Sequence, residues 1–283
     1  MRYEPLEIGH RRMISECLCG LDEFISDFTF SVLFLYGEKY KFQIVHDSRP
    51  VFIFGTNPVG QKFLVPLIDL RKLGPDYIAG IMPRYDFMYP VAEHWTGIFD
   101  GRFELMSRGS EMDYVYRTAQ LASFKGGDYN RRRNRLRHFT INYGGSFEKF
   151  TENHGDQALA ILRKWQDSTD LGETETDYRQ CACALRFFTE LPLCGLMYYG
   201  DGKPIGFLLG EYLNPRVFLI HFIKGLPGYQ GLYEYMFNRF AGTIPGCEFI
   251  NMEEDMGREN LRLTKTSYHP EFLVRKFRVC LRK

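Results

Sequence analysis

Residues 125–139, KGGDYNRRRNRLRHF, concentrate positive charge in a chain whose net charge is only +1. From Lys125 to Arg137 there are six Lys or Arg and one acid, Asp128. Asp128, following Gly126-Gly127, has the type and place of an N-cap, so the spacing predicts a helix over 129–139. Tyr129, Leu136 and Phe139 would be its buried stripe. Free backbone N–H groups at such a helix start, together with Lys125 and Arg side chains such as Arg131, Arg133 and Arg135, have the chemistry of an anion site, and phosphate is the anion they fit. The same pattern also describes a solvated helix that serves solubility alone.

A second dense stretch is NMEEDMGRENLRLTKTSYHP at 251–270. Asn251 ends an apolar strand, and Glu253, Glu254 and Asp255 follow where open α/β sheets present residues to ligands, which makes these carboxylates general-base candidates. Glu254 or Asp255 equally suits the cap of the helix that follows. Arg258, Arg262 and Lys265 are four and three apart and share one face of that helix. A third stretch, KGLPGYQG at 224–231, places three glycines three apart with Lys224 at the rim. It matches neither the P-loop nor the dinucleotide fingerprint, and it reads as a phosphate-approaching loop or as a plain strand-to-helix connection. His221 lies inside the apolar strand VFLIHFI, where one histidine is a core residue or a ligand contact. No G-x-S-x-G occurs, and nothing in the pattern supports a covalent nucleophile.

The elements that must position these groups are those of a globular chain. At 283 residues with 25% charged and 45% apolar content, there is enough material for one large or two smaller domains. Twenty-five Phe and 18 Tyr favour strands. No apolar run approaches the roughly 18 residues of a spanning helix, and the start, MRYEPLEIGHRR, lacks a signal peptide's apolar core, so a soluble, cytoplasmic protein is expected. The seven cysteines suit a reducing compartment, and the C-x-C pairs at 17/19 and 181/183 have the wrong spacing for zinc, so no metal is expected.

Helix is expected over 9–20, then short strands at 28–36, 40–46, 50–55 and 62–68, broken at YGEKY, HDSRP and GTNPVG. A strand at 103–107 precedes a helix started by the S-x-x-D pair Ser110/Asp113 and running through EMDYVYRTAQLASF. The second half reads helix, helix, hairpin turning at Asp201-Gly202, strand, helix, strand, helix and a closing strand EFLVRKFRV. That order gives an α/β protein with mixed sheets and a crossover helix. A blurred version of the same order in the first half divides the chain into 1–110, connecting helices with the basic motif at 111–150, and 151–283.

DYVYRTAQLASFKGGDYNRRRNRLRHF, IHFIKG, NMEEDMGRENLRLTKTSYHP and EFLVRKFRV, in that order from about residue 113 onward, resemble the soluble C-terminal domain of bacterial phosphatidylglycerol lysyltransferases. The resemblance implies two tandem GNAT-like acyltransferase domains related to the Fem-type aminoacyl transferases. It also implies a donor with an activated acyl group on a phosphate-rich carrier: aminoacyl-tRNA, or acyl-CoA as the lesser alternative. The acceptor would be an amine or hydroxyl, with no tightly bound cofactor. By matching position it carries function onto Lys125, Arg133, Asn134, Lys224, Asn251, Glu253, Asp255, Arg262, Lys265 and Tyr268. Two departures matter. Ile223 stands where relatives carry an acid before the lysine of their HF-x-K motif, and the GNAT pyrophosphate signature Q/R-x-x-G-x-G/A is absent.

On that footing Asp255 or Glu253 is the expected base, Tyr268 the proton donor, and the backbone near His221 and Phe222 the carbonyl's partner. Arg262, Lys265 and the 125–137 cluster would hold the donor's phosphates. The rival readings are a nucleotide- or RNA-binding module without chemistry, which Ile223 favours, and a CoA-dependent small-molecule N-acyltransferase. A lipid acceptor would be met by peripheral membrane contact.

Overall fold

The computed structural model describes residues 3–45, 51–244 and 246–282. The HDSRP break at 46–50 lies outside them. The chain begins with β1 (Tyr3–Pro5), α1 (Arg11–Leu18), α2 (Phe30–Leu35), α3 (Gly37–Tyr40), β2 (Gln43–Val45), β3 (Phe52–Thr56), β4 (Lys62–Pro66), α4 (Pro75–Ile81), β5 (Phe87–Ala92) and β6 (Phe103–Met106). It continues through β7 (Asp113–Arg117), α5 (Thr118–Ser123), α6 (Asn130–Tyr143), β8 (Ser146–Lys149), α7 (Gly155–Asp167) and α8 (Tyr178–Arg186). The last stretch is β9 (Cys194–Gly200), β10 (Lys203–Asn214), β11 (Val217–Gly225), α9 (Leu232–Thr243), β12 (Phe249–Asn251), α10 (Glu259–Thr266), β13 (Phe272–Val274) and β14 (Lys276–Leu281).

These strands form two seven-stranded sheets, ordered β1-β2-β3-β4-β5-β14-β6 and β13-β7-β12-β11-β10-β9-β8. Each repeats one scheme. Four strands pair antiparallel, a helix crosses over to make one parallel pair (β4 with β5, β11 with β12), and antiparallel pairing resumes. A core of aromatic and aliphatic residues, including Tyr198, Leu208, Phe218, Ile220, Tyr235 and Phe240, packs α5, α6 and α9 on one face of the second sheet.

The two compact units are not contiguous in sequence. One comprises Met1–Asp113, Glu254–Arg262 and Leu273–Lys283; the other comprises Tyr114–Glu253 and Leu263–Phe272. The division therefore differs from boundaries at 110 and 150, because EFLVRKFRV is two strands, β13 in one sheet and β14 in the other. The 28–36 run is also not a strand. Thr29 Oγ1 accepts from the Val32 N–H at 3.2 Å and starts α2, whose Phe30, Leu33 and Leu35 are buried; a short apolar run fits either structure.

The helix expected from Ser110 is likewise corrected. Asp113 opens a buried strand, β7, and only Thr118–Ser123 is helical. The Asp113 carboxylate meets the Ser26 N–H at 2.8 Å and Lys276 at 2.9 Å. Asp128 is not an N-cap either. It sits within a short turn, Gly127–Tyr129, and Tyr129 takes the capping position of α6.

Candidate active site

The centre of the second sheet carries a buried charged group. In the β10/β11 pairing Leu209 faces Phe222 and Gly210 faces Ile220, so His221 is the extra residue of a β-bulge. A bulge re-aims the side chain it contains and interrupts the ladder, and such irregularities gather near active sites. His221 Nε2 lies 2.9 Å from Glu211 Oε1 and Nδ1 lies 2.8 Å from Glu253 Oε1. An ionised carboxylate only accepts, so satisfying both bonds requires a proton on each ring nitrogen. Burial alone would drive the imidazole toward neutrality, but the hydrogen bonds and charges of Glu211 and Glu253 outweigh it and lift its pKa to about 9.

Glu253 is the opening in this group. Its side chain is 22% exposed, against 2% for His221 and 6% for Glu211. Its backbone has a φ of 57°, in the left-handed region, and is held from several directions. Asn251 Oδ1 accepts from the Glu253 N–H at 2.6 Å, the Glu253 carbonyl accepts from the Tyr114 N–H, and Lys265 Nζ reaches the Met252 and Glu253 carbonyls at 2.6 and 3.2 Å. Four sequence candidates, His221, Asn251, Glu253 and Lys265, thus converge. Lys265 serves there as a backbone clamp.

The other candidates have partners of their own. Asp255 is fully buried; its Oδ2 lies 2.9 Å from Arg262 Nε, and its Oδ1 accepts from the Gly257 N–H at 2.8 Å. Those bonds close the loop before α10 and occupy both oxygens, which fits a structural carboxylate better than a base. Tyr268 is buried, with Arg132 stacked 3.9 Å over its ring, and burial pushes its hydroxyl well above the usual range, away from easy proton donation. Lys224 Nζ is held 2.6 and 2.8 Å from the Asp177 oxygens and 3.6 Å from the centre of the Trp165 ring, so its charge is already met inside the protein. Arg133 turns back onto the Phe124 and Gly126 carbonyls and the Asn130 side chain, fastening the loop before α6. Lys125, Arg131 and Asn134 are exposed.

Glu211 and Asp177, which bond His221 and Lys224, are the partners that sequence reasoning passed over. Glu211 carried a signal: an acid in the apolar strand FLLGEYL, across a hairpin from the histidine. Asp177 carried none. The first unit holds a second unforeseen group, in which buried Lys276 Nζ lies 2.7 Å from Asp27, 2.9 Å from Asp113 and 3.2 Å from Glu254. Burial lifts the Glu254 carboxyl to about 7, with Lys276 opposing the rise and Asp27 and Asp113 adding to it. Among the described residues no helix is long and apolar enough to cross a membrane.

Two mixed sheets of one scheme, each with a single crossover helix beside its parallel pair, define a tandem GNAT-like fold. Residues 21–280 match the family model of the phosphatidylglycerol lysyltransferase C-terminal region, and the chain belongs to that family. A conserved protein of unknown function from Bacteroides thetaiotaomicron VPI-5482 matches all of this chain over all of its own, with 25% identity and a TM-score of 0.84. The C-terminal domain of a putative lysylphosphatidylglycerol synthetase from Agrobacterium fabrum has a TM-score of 0.64 at 12% identity, covering 96% of this chain and 93% of that one. FemX has a TM-score of 0.62 at 7% identity, covering 100% and 98%. An uncharacterised protein of Mycoplasmoides gallisepticum is 25% identical over 191 residues, 60% of this chain; the chain spans only 56% of that relative's length.

Proposed function

We propose that the protein transfers an aminoacyl group from aminoacyl-tRNA to an amine or hydroxyl by direct attack, without a covalent enzyme intermediate. The observation that carries this reading is the partly exposed Glu253 carboxylate held by a buried, doubly hydrogen-bonded His221 on a bulged strand. Glu253 takes the proton of the acceptor as its nitrogen or oxygen bonds to the ester carbonyl carbon. The bond from that carbon to the ribose oxygen breaks, and the proton passes on to the leaving oxygen. His221 remains protonated throughout and fixes the orientation of Glu253; Glu211 supplies the second counter-charge. The bulge leaves His221 without a register partner on β10, and its backbone N–H is the candidate donor to the developing oxyanion.

The family supports acyl transfer, and the absence of a GNAT pyrophosphate signature supports RNA over CoA as the carrier. The test offers aminoacyl-tRNA of several identities with amine and lipid acceptors and scores loss of the ester. Glu253→Gln should slow transfer by about 100- to 10,000-fold, the usual contribution of a general base. Equal rates in parent and variant would remove Glu253 from the reaction. Binding with the ester intact for every acceptor would favour the module without chemistry that Ile223 suggests.

A further inference from the structure

We infer that Glu254 is a proton-operated latch: with its carboxyl neutral it holds the segment Glu254–Arg262 in the first unit, and with its carboxylate ionised it lets that segment loosen. The inference does not depend on the transfer reading. It rests on a group of charges inside one compact unit, to which Asp27, Asp113, Glu254 and Lys276 all belong.

Three carboxylates there share the Lys276 ammonium. Glu254 Oε2, at 3.2 Å, is more distant from Lys276 Nζ than Asp27 at 2.7 Å or Asp113 at 2.9 Å. Glu254 is also the most accessible of the group: its side chain is 30% exposed, against 23% for Asp27, 0% for Asp113 and 1% for Lys276. From β5 the Tyr89 hydroxyl lies 3.5 Å from the same Glu254 oxygen. From α3 the Lys39 ammonium and the Tyr40 hydroxyl lie within reach of its charge, and Arg258 of its own segment acts on Lys39. Arg278 on β14 bonds Glu111 at 2.8 Å, and that pair faces Tyr89 and Tyr40.

A proton relieves the crowding. Burial, to which Asp27 and Asp113 add, outweighs Lys276 and raises the Glu254 carboxyl from its ordinary 4.5 to about 7. An acid raised in the folded state contributes stability that is fully present below 4.5 and is lost as pH rises through about 7. Neutral Glu254 accepts from Lys276 and can donate to a neighbouring carboxylate. Ionised Glu254 brings a third negative charge to one buried ammonium, and water solvates that charge better.

The local chain permits that exit. The bonds of Asp255 to the Gly257 N–H and to Arg262 close the segment on itself, whereas Glu254 reaches out of it to β14 and β5. Met256, two residues on, is 43% exposed and sits at φ 54°, a left-handed conformation that a non-glycine residue keeps only while its surroundings hold it.

The test is hydrogen exchange of the full chain between about pH 5 and pH 8, corrected for the intrinsic exchange rate at each pH. Protection of the amides of residues 256–262 should fall about tenfold per pH unit up to about 7 and then level off. Glu254→Gln, neutral at every pH, should keep the low-pH protection throughout. Asp27→Asn removes a charge that raises Glu254 and should move the levelling point to lower pH; it decides the matter even where Glu254→Gln does not fold. Flat protection in the parent, the parent's slope retained in Glu254→Gln, or an unmoved levelling point in Asp27→Asn overturns the latch. An equal fall in the β3–β5 amides overturns it too, because the proton would then stabilise the whole unit and not the segment.

Discussion

A buried imidazole between two carboxylates is satisfied in one protonation state only, which ties His221 to pH. Its folded pKa of about 9 lies above the ordinary 6.5, so its stabilising contribution is complete below about pH 6.5 and is lost as pH rises through 9. The shift corresponds to about 3 kcal/mol. Denaturant unfolding of the parent and His221→Gln between pH 6 and 10 should therefore show the gap between them closing with rising pH. Parallel curves would contradict the doubly charged surroundings. Lys276 gives the complementary case. Lys276→Met leaves Asp27, Asp113 and Glu254 without their shared cation, which should cost about 3 to 5 kcal/mol at pH 8 and less at pH 5, where protonation of Glu254, lifted to about 7, relieves the repulsion. A loss independent of pH would mean that lost packing, not charge, dominates. Of these partners the sequence showed little. His221 and Glu253 stood out because a charge in or beside an apolar strand breaks a pattern, but the acids at 27, 113 and 254 that meet Lys276 are scattered along the chain. The fates of Arg132 and Arg133 were hidden for a different reason: adjacent arginines in a helix look alike until their partners, Glu234 and the Phe124 and Gly126 carbonyls, are known.

The β10/β11 hairpin sets where Glu211 and His221 stand, and its register depends on a missing side chain. A Cβ on Gly210 would lie 2.1 Å from the Leu219 carbonyl oxygen and 2.5 Å from the Phe218 ring, directly beside the bulge. Gly210→Ala should therefore force the strands apart, destabilising by about 1 to 3 kcal/mol as overpacked cores do, and should slow ester transfer by displacing His221 from Glu253. Thermal unfolding and the transfer assay read the two effects separately; unaltered transfer would show that the bulge tolerates the shift. This hairpin was legible beforehand because its turn chemistry is local, with Asp201 and Gly202 both at positive φ. β7 was not. DYVYR is followed without a break by the real helix α5, and a strand buried on both faces shows no alternation to separate it from helix.

Across the whole molecule, two strands are exchanged in a reciprocal way. β6 stays in the first sheet while the chain passes on to β7 in the second; β13 lies in the second sheet while the chain passes on to β14 in the first. β14 enters between β5 and β6, pairing antiparallel with both, so the first unit is completed by the last residues of the chain. No period-based reading of EFLVRKFRV could divide it, since the pairing partners lie more than 150 residues upstream. The exchange makes a specific demand on folding: the first sheet cannot close until β14 is made, whereas β8–β12 already hold their own partners. Removing residues 273–283 should leave β5 and β6 with exposed ladder groups and take Lys276 from Asp27 and Asp113 at the same time. Hydrogen exchange on the truncated chain should then show β3–β5 amides losing their protection while β9–β11 amides keep theirs. Protection retained in both sheets would mean that the first unit is stable without its seventh strand. Protection lost in both would mean that the two units fold as one cooperative whole.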